Sequence, residues 1–412
     1  MRVLFVVHQF FPVWYTGTER FVLDLAKQLQ RMGHFVKILT YGWRDNGAYA
    51  LRNGALIREY HFQGVPVTAI RHRDPADEND FEVKVFDDRL EPVITSILEE
   101  NIFDIIHIGH PHRCGSTCIK IAHERRIPVV LTLTDFWTVC PRIIGVTRSG
   151  ALCRYSSHGI RCADNCYSET ERLPLQERYT NIDRMLKMTD FCVSSTNFLK
   201  QVIQSNYPSL NIHLVRFGTD YSLIQQNSKL YSAESPVTIG FLSTLQPHKG
   251  AHILLKAFGR LDQDNISLKI YGHYFEEADY FYSLRELAEG KLVQFCGKYD
   301  YEDFQKIFDS LDIVAVPSIW WENSPLVLLS SLAHRVPVIV SNLEGLTEII
   351  EDGKNGFVFD MGDEESLVHI LQKIGQNPAV LNEIKNNIVA PPRIEEEAFR
   401  YELIYNNLTQ NI

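Results

Sequence analysis

A chain of 412 residues is too long for one ordinary hydrophobic core, which predicts two domains of about 200 residues each. Its hydrophobic content of 45% and charged content of 22% are typical of a globular protein. The formal net charge of -10 argues against nucleic acid as the main partner, because a phosphate backbone needs a basic surface.

The apolar runs, the N-terminal segment and the cysteine usage indicate the cellular compartment of the protein. No apolar run reaches the roughly 18 residues that span a bilayer, which predicts no transmembrane segment. The N-terminal RVLFVV leads directly into HQFFP, which indicates a buried first strand rather than a signal peptide. Eight cysteines in this setting favour a reducing compartment. We therefore expect a cytoplasmic protein, and peripheral contact with the inner face of the membrane stays open.

The first half of the chain alternates apolar, β-rich runs with helical stretches. The predicted elements are, in order, strand 2–7, helix 18–32, strand VKILT, helix 81–100, strand DIIHI, helix 115–125 and strand PVVLTL. This alternation predicts βαβ units and a parallel sheet with helices on both faces. A Cys-, Arg- and Ser-rich insertion at 136–176 interrupts the pattern, which resumes with FCVSS, a helix and IHLVRFG.

A second alternating series follows a polar, turn-rich linker at 216–235. Its predicted elements are strand 237–242, helix 249–260, strand SLKIYG, helix 277–289, strand 292–296, helix 301–310, strand DIVAVP, helix 324–333 and strand PVIVS, and a last helix covers 394–409. The prediction is an α/β protein with two Rossmann-like, doubly wound domains facing across a cleft between the carboxyl ends of their sheets.

The segment from 317 to 356 carries the most specific chemistry. An acidic residue, Glu322, precedes a predicted helix in which Ser324 serves as the cap and Pro325 as the first residue. The free backbone N–H groups of Leu326 and Val327 then form an anion site at the helix N-terminus. A carboxylate beside a phosphate site suits a nucleotide sugar.

Two further turns between a strand and a helix suggest ligand contacts. Gly17 and Thr18 precede the first helix, where a glycine allows close approach to backbone N–H groups, although a simple helix cap explains them equally well. Lys249 and Gly250 begin a helix in the second half. The helix dipole disfavours a lysine there, which points to a role such as neutralising a departing diphosphate.

Histidine, cysteine and tryptophan residues leave alternatives open. His110 follows strand DIIHI, where it can contact an acceptor or a sugar, whereas His107 within the strand is structural in our interpretation. One of Trp320 and Trp321 can shelve a sugar face while the other lies in the core. Four thiols in the insertion either close a structural zinc site or stay reduced near the acceptor, and these are Cys140, Cys153, Cys162 and Cys166.

These segments together resemble family-4 retaining glycosyltransferases of the GT-B fold, in the branch that builds polysaccharides. Gly17, Glu19 and Arg20 match a Gly-Gly-x-Glu-Arg turn in which Thr16 replaces the first glycine. The other matching segments are RMGHFVKILT, TLTDFWTVCPR, FLSTLQPHKG, VPSIWWENSPLVLL and LEGLTEIIEDGKNGFVF. The resemblance covers nearly the whole chain.

The resemblance implies roles for individual residues. Lys249 would pair with the diphosphate, Glu322 would hold the hydroxyls of the transferred sugar, and Asp135 would lie near the sugar; these three are the catalytic candidates. The implied donor-binding residues are Gly17, Thr244, Lys249, Gly297, Tyr299, Glu322, Asn323, Ser324, Pro325, Leu326, Val327 and Ser330, with the nucleobase near Gly297 to Tyr299. The acceptor-side residues are Thr18, Glu19, His110 and Thr134.

The resemblance also implies domain boundaries at 1–216 and 217–393, with the helical segment 394–412 crossing back to the first domain. Three positions depart from the family pattern. Ser330 replaces a second glutamate, eight positions after Glu322, that would hold the ribose. Thr244 replaces a phosphate-binding arginine, and Thr134 replaces a histidine before Asp135.

The function expected from this reading is retaining transfer of a hexose-type sugar from a UDP-linked donor, of the UDP-glucose or UDP-glucuronate type. The acceptor would be a saccharide or a lipid-linked oligosaccharide in bacterial exopolysaccharide or envelope polysaccharide synthesis. The loops contain no DxD-like site, which predicts transfer without a catalytic metal or other cofactor. The alternatives are a degenerate member that binds a nucleotide sugar or a partner without turnover, and a nucleotide-sugar epimerase. Arg20, Lys27 and Arg31 can face anionic lipids or form a solvated helix face.

Overall fold

The computed structural model describes residues 1–78, 84–154, 159–273 and 279–410. The chain divides into two compact units. Unit 1 contains residues Met1–Gly218 and Arg393–Ile412, and unit 2 contains Thr219–Pro392.

Unit 1 is built on a nine-stranded sheet in the order β3-β4-β5-β2-β1-β6-β7-β8-β9. Its strands are β1 Arg2–Val7, β2 Phe35–Tyr41, β3 Ala50–Arg52, β4 Ala55–Phe62, β5 Val65–Arg71, β6 Ile105–Ile108, β7 Val129–Leu133, β8 Phe191–Ser194 and β9 Ile212–Leu214. Its first six helices are α1 Gly17–Arg31, α2 Glu91–Glu100, α3 Gly115–Glu124, α4 Ile160–Asn165, α5 Arg172–Lys187 and α6 Asn197–Asn206. The central strand β1 is completely buried from Val3 to Val7, as its continuous apolar run predicts.

An antiparallel edge of this sheet was missed by the sequence analysis, which places no element between VKILT and residue 81. Strands β3, β4 and β5 pair antiparallel through the two-residue turns Asn53–Gly54 and Gln63–Gly64. All four turn residues have positive φ, the geometry that matches the twist of a hairpin. Asn-Gly between two apolar runs was the available signal. The sheet is therefore mixed, because β4 is antiparallel to both of its neighbours.

The predicted helix 81–100 was too long. Helix α2 begins only at Glu91, with Pro92 in its first turn, where the missing N–H costs nothing. A short 3-10 turn, Asp88–Leu90, precedes it, and the predicted residues 81–83 lie outside the described residues.

Unit 2 has a six-stranded, fully parallel sheet in the order β12-β11-β10-β13-β14-β15. Its strands are β10 Val237–Leu242, β11 Ile266–Tyr271, β12 Val293–Gly297, β13 Ile313–Val316, β14 Val338–Ser341 and β15 Phe357–Phe359. Its helices are α7 Ala251–Gly259, α8 Asp279–Leu287, α9 Phe304–Asp309, α10 Leu326–Ala333, α11 Glu344–Thr347, α12 Glu364–Gln376 and α13 Val380–Asn386. The order reverses between β10 and β13, and loops at such a reversal form the ligand crevice of doubly wound sheets.

The C-terminal helix α14, Ile394–Gln410, belongs to unit 1. Its Tyr401 and Tyr405 are fully buried, and their hydroxyl groups hydrogen-bond Thr132 at 2.8 Å and His107 at 2.5 Å. His107 is itself fully buried, and its other ring nitrogen contacts the hydroxyl of Thr132 at 2.8 Å. These contacts attach α14 to β6 and β7. Of the helices in the described ranges, none combines the length and apolar character needed to cross a bilayer.

Candidate functional site

The topology of unit 2 brings Lys249 and Glu322 together. Strands β10 and β13 are parallel neighbours, so the loops that follow them leave the same edge of the sheet. Lys249 lies at the end of the first loop and Glu322 in the second, and Lys249 Nζ donates to Glu322 Oε1 at 2.8 Å. Gly250 permits this approach, because it has φ +77° and an added Cβ would lie 1.8 Å from the carbonyl oxygen of Pro317.

One oxygen of Glu322 receives every hydrogen bond that the described structure gives to this side chain. Oε1 accepts from Lys249 Nζ at 2.8 Å, from Ser318 Oγ at 2.7 Å and from Trp320 Nε1 at 2.7 Å. Within the described residues, Oε2 accepts none. Burial raises the pKa of Glu322, but the Lys249 ammonium and these hydrogen bonds outweigh burial and hold the pKa below its usual value. The group is therefore an ionised carboxylate with one oxygen left for a ligand.

Helix α10, which begins four residues after Glu322, has two free backbone donors at its start. The predicted cap of this helix is wrong, because Pro325 is the N-cap and α10 begins at Leu326, with no side-chain cap bond from Ser324. The carbonyl of Pro325 accepts from Leu328, whereas the N–H groups of Leu326 and Val327 have no hydrogen-bond partner within the described residues. Two free N–H groups at a helix N-terminus are suited to an anion, and their role in donor binding stays a prediction.

Lys249 also differs from its prediction. It ends a 3-10 turn, Pro247–Lys249, and α7 begins two residues later at Ala251. Its ammonium lies 4.3 Å from the ring centre of Trp320, a cation–π contact. The ring of His248 packs edge-on against the same indole, with 5.0 Å between the ring centres. Burial, and to a smaller extent the charge of Lys249, lowers the pKa of His248 to about 4. His248 is therefore neutral beside the lysine at neutral pH.

Apart from Gly17, which belongs to unit 1, the remaining predicted donor residues occupy unit 2. Thr244 is exposed in the loop after β10, and Gly297, with φ +76°, ends β12. Tyr299 packs against Tyr271 and Phe304. Asn323 is 7% exposed, and Ser330 is 3% exposed on α10. Their roles in donor binding stay predictions.

A second polar cluster lies at the carboxyl edge of the sheet in unit 1. His110 Nδ1 accepts from the backbone N–H of His112 at 3.1 Å, which places the ring proton on Nε2. That nitrogen donates to Asp135 Oδ2 at 2.8 Å, and Asp135 Oδ1 accepts from the backbone N–H of Trp137 at 2.9 Å. His110 is only 1% exposed, whereas the side chain of Asp135 is 21% exposed. In this geometry His110 holds Asp135, and the carboxylate is the group that a ligand can reach.

The sequence analysis missed three neighbours of this cluster, namely His8, His112 and Arg113. The ring of His8 lies 4.0 Å from the ring of His110, and the carbonyl of His8 accepts from Arg113 at 2.8 Å. Burial, followed by the charges of His110, Arg113 and His112, lowers the pKa of His8 well below its usual value. The available signal was position, because His8 directly follows β1 at the reversal of strand order between β1 and β6.

The predicted glycine turn of unit 1 acts as a helix cap in this structure. Helix α1 begins at Gly17, with Thr16 as its N-cap. Glu19 is fully buried, and its Oε2 accepts from the backbone N–H of Thr16 at 2.7 Å and from the Thr16 hydroxyl at 2.5 Å, a capping box. Burial raises the pKa of Glu19. Thr18 is partly exposed, and the hydroxyl of Thr134 donates to the carbonyl of Gly109 at 3.3 Å.

The four cysteines of the insertion line one cavity of about 380 Å³. Cys162 and Cys166 belong to α4 and its end, and Cys140 and Cys153 contribute from the preceding loop. In the part of the chain that the structure describes, no group of three or more His, Cys, Asp or Glu side chains is arranged to hold a metal ion. A tetrahedral zinc site needs its sulfur atoms about 2.3 Å from one point, and zinc at these four thiols stays a prediction.

Comparison with known proteins assigns the family. Residues 15–223 match Glycosyltransferase Family 4, and residues 225–389 match Glycosyl transferases group 1. The first match covers more than half of the chain, so the chain belongs to glycosyltransferase family 4. The predicted family is confirmed.

The chain is also similar to individual proteins in sequence and in fold. The amylovoran biosynthesis glycosyltransferase AmsK of Erwinia amylovora is 23% identical over 100% of this chain and 98% of its own. The D-inositol 3-phosphate glycosyltransferase of Corynebacterium urealyticum is 26% identical over 60% of each chain. Sucrose-phosphate synthase from Thermosynechococcus elongatus superposes with a TM-score of 0.71 at 15% identity over 100% of both chains. Anabaena HepE in complex with UDP-glucose superposes with a TM-score of 0.67 at 15% identity, over 99% of this chain and 100% of HepE. The fold is GT-B, with two Rossmann-like sheets, as predicted.

Proposed function

We propose that this protein is a retaining glycosyltransferase that moves a hexose from a UDP-linked donor to a saccharide or a lipid-linked oligosaccharide. The observation that carries the proposal is the ion pair of Lys249 with Glu322, which leaves one carboxylate oxygen open, and it is supported by the free N–H groups of Leu326 and Val327 four and five residues further along the chain. A cation and two backbone donors suit a diphosphate, and a fixed carboxylate suits sugar hydroxyls.

The proposed reaction breaks the bond between the anomeric carbon and the diphosphate oxygen and forms a bond to the acceptor oxygen on the same face. The acceptor hydroxyl passes its proton to the departing diphosphate. Lys249 and the start of α10 stabilise the negative charge that develops on the leaving group, a contribution that grows in the transition state. The anomeric configuration is kept.

The biological setting is part of the proposal. The similarity to the amylovoran glycosyltransferase supports a role in exopolysaccharide or envelope polysaccharide synthesis, and the bound ligand of HepE supports a UDP-glucose type of donor. A cytoplasmic location agrees with the cysteine usage of the sequence.

The decisive experiment incubates the purified protein with UDP-glucose, UDP-glucuronate, GDP-glucose and ADP-glucose, with and without saccharide acceptors. Proton NMR then follows the anomeric signals. Release of UDP with an α-linked product from an α-linked donor is expected. A β-linked product contradicts retention, and an epimerised donor indicates the epimerase alternative. Tight donor binding by calorimetry without transfer or hydrolysis of any donor favours the binding-only alternative.

Metal independence is tested in the same assay. Because the proposed leaving-group stabilisation uses Lys249 and backbone N–H groups, brief treatment with EDTA should leave the transfer rate unchanged, and added manganese should not raise it. A loss of transfer that manganese restores contradicts this part of the proposal.

A further inference from the structure

Trp320 contacts both charged members of the site in unit 2. Its indole N–H donates to Glu322 Oε1 at 2.7 Å, and its ring face lies 4.3 Å from Lys249 Nζ. The indole is half-buried, whereas its neighbour Trp321 is 8% exposed. Trp320 is therefore the tryptophan whose contacts with both members of the ion pair are seen directly.

The indole N–H decides which oxygen of Glu322 is available. An ionised carboxylate forms short, directional hydrogen bonds, so three donors on Oε1 fix the rotation of the group. Ser318, 1% exposed, and Trp320 belong to the same loop as Glu322, so their hydrogen bonds to Oε1 do not depend on Lys249. Oε2 is then held toward a ligand hydroxyl.

The ring face decides where Lys249 can go. A lysine that exchanges a carboxylate for a diphosphate loses the hydrogen bond that restrains its flexible side chain. The indole face attracts the ammonium independently of that bond. The edge-on contact between His248 and Trp320, at 5.0 Å, supports the ring from the same turn that carries Lys249. The ammonium is therefore confined to one surface while its partner changes.

We propose that Trp320 is a positioning residue for sugar transfer, which orients Glu322 through its N–H and guides Lys249 across its ring face from the carboxylate to the donor diphosphate. The proposal rests on the function proposed above. It assigns Trp320 no contact with the reacting atoms.

Two variants each remove one hydrogen bond to Glu322 Oε1 while an aromatic ring remains at position 320. Trp320→Phe keeps an aromatic face and removes the donor, and Ser318→Ala removes another donor from the same oxygen. Each should lower kcat about tenfold, because each removes one hydrogen bond to a charged group, with little change in the KM for the acceptor. Each should also move the acidic limb of the kcat/KM profile to higher pH, because a carboxylate with fewer donors is protonated more easily. Trp320→Phe with wild-type kcat and an unchanged acidic limb overturns the proposal.

A spectroscopic readout does not depend on turnover. The chain has five tryptophans, so a spectrum with ¹⁵N-labelled indoles is simple, and the signal missing from Trp320→Phe assigns Trp320. This signal should shift with pH as Glu322 is protonated, and Glu322→Gln should remove that part of the shift and leave only the part caused by His248, which packs edge-on against the same ring. Trp43→Phe, which removes an indole of unit 1, should leave the titration intact. A Trp320 signal that does not change when Glu322 is protonated overturns the proposal, even if no donor is turned over. The expected titration without sugar transfer refutes only the proposed function.

Discussion

Lys249 and Glu322 form an ion pair of 2.8 Å although they are 73 positions apart in the chain. The pair exists because β10 and β13 are parallel neighbours whose following loops share one edge of the sheet. In the absence of a donor each residue therefore neutralises the other. Donor binding has to share or replace this pair, which makes both side chains sensitive probes of the site.

Replacing Lys249 by alanine should lower kcat about 10²- to 10³-fold, the range seen when one donor to a developing anion is removed. Lys256→Ala is the matched control, because Lys256 is an exposed lysine of α7 that pairs with Glu364 at 2.9 Å. Steady-state kinetics with the best donor measures both. A near-normal rate for Lys249→Ala contradicts the assigned role.

Gly250→Ala should disturb the loop that carries Lys249. The added Cβ would meet the carbonyl oxygen of Pro317 and require a left-handed conformation, at a cost of about 2 kcal/mol or more. Donor affinity measured by calorimetry should fall. Gly259→Ala is the control, in the last turn of helix α7, which follows this loop. No atom lies within 4 Å of its new Cβ, so it should stabilise the protein by about 0.5 kcal/mol. Equal donor affinity in the two variants argues against this tight approach.

His110→Ala should lower the rate of transfer to the acceptor about tenfold without changing donor affinity. The variant removes the hydrogen bond that holds Asp135 Oδ2, whereas Lys249 and Glu322 belong to the other unit. His61→Ala, at an exposed position of β4, is the control. Kinetics with varied acceptor and calorimetry with donor alone separate the two effects. A weakened donor affinity in His110→Ala contradicts the prediction.

Glu397 should make unit 1 less stable as the pH rises. Burial raises the pKa of this α14 carboxyl from 4.5 to about 8, so between these values the folded state binds more protons than the unfolded state, and the free energy of unfolding falls with increasing pH. Glu397→Gln keeps an acceptor for the backbone N–H of Gly218, which lies at 2.7 Å, and removes the titration. At pH 8 the variant's free energy of unfolding should exceed that of the wild type by roughly 2 to 4 kcal/mol.

Thermal unfolding at pH 5 and pH 8 tests this prediction. Glu397→Gln should raise Tm at pH 8 and have much less effect at pH 5. Glu396→Gln, an exposed neighbour on the same helix, should change neither value. An equal gain at both pH values shows that the carboxyl is not the titrating group.

The sequence predicted most strands and helices because their signals are local. The buried run of β1 and the amphipathic pattern of α1 are examples. Its errors were also local: the hairpin β3–β4 was missed although Asn53–Gly54 marks a tight turn, and α2 was extended past Pro92. The cap of α10 was assigned to Ser324, whereas the extended backbone of Pro325 ends the loop.

The sequence by itself determined the family, the two Rossmann-like sheets and the residue types of the proposed donor site, because motifs and periodicity are properties of short segments. Only the tertiary structure decided which side chains meet. It paired Lys249 with Glu322, placed His110 behind Asp135, and directed the indole of Trp320 at the carboxylate. The physical reason is strand order: parallel strands distant in sequence become neighbours, and their carboxyl-end loops assemble a site that no local pattern contains.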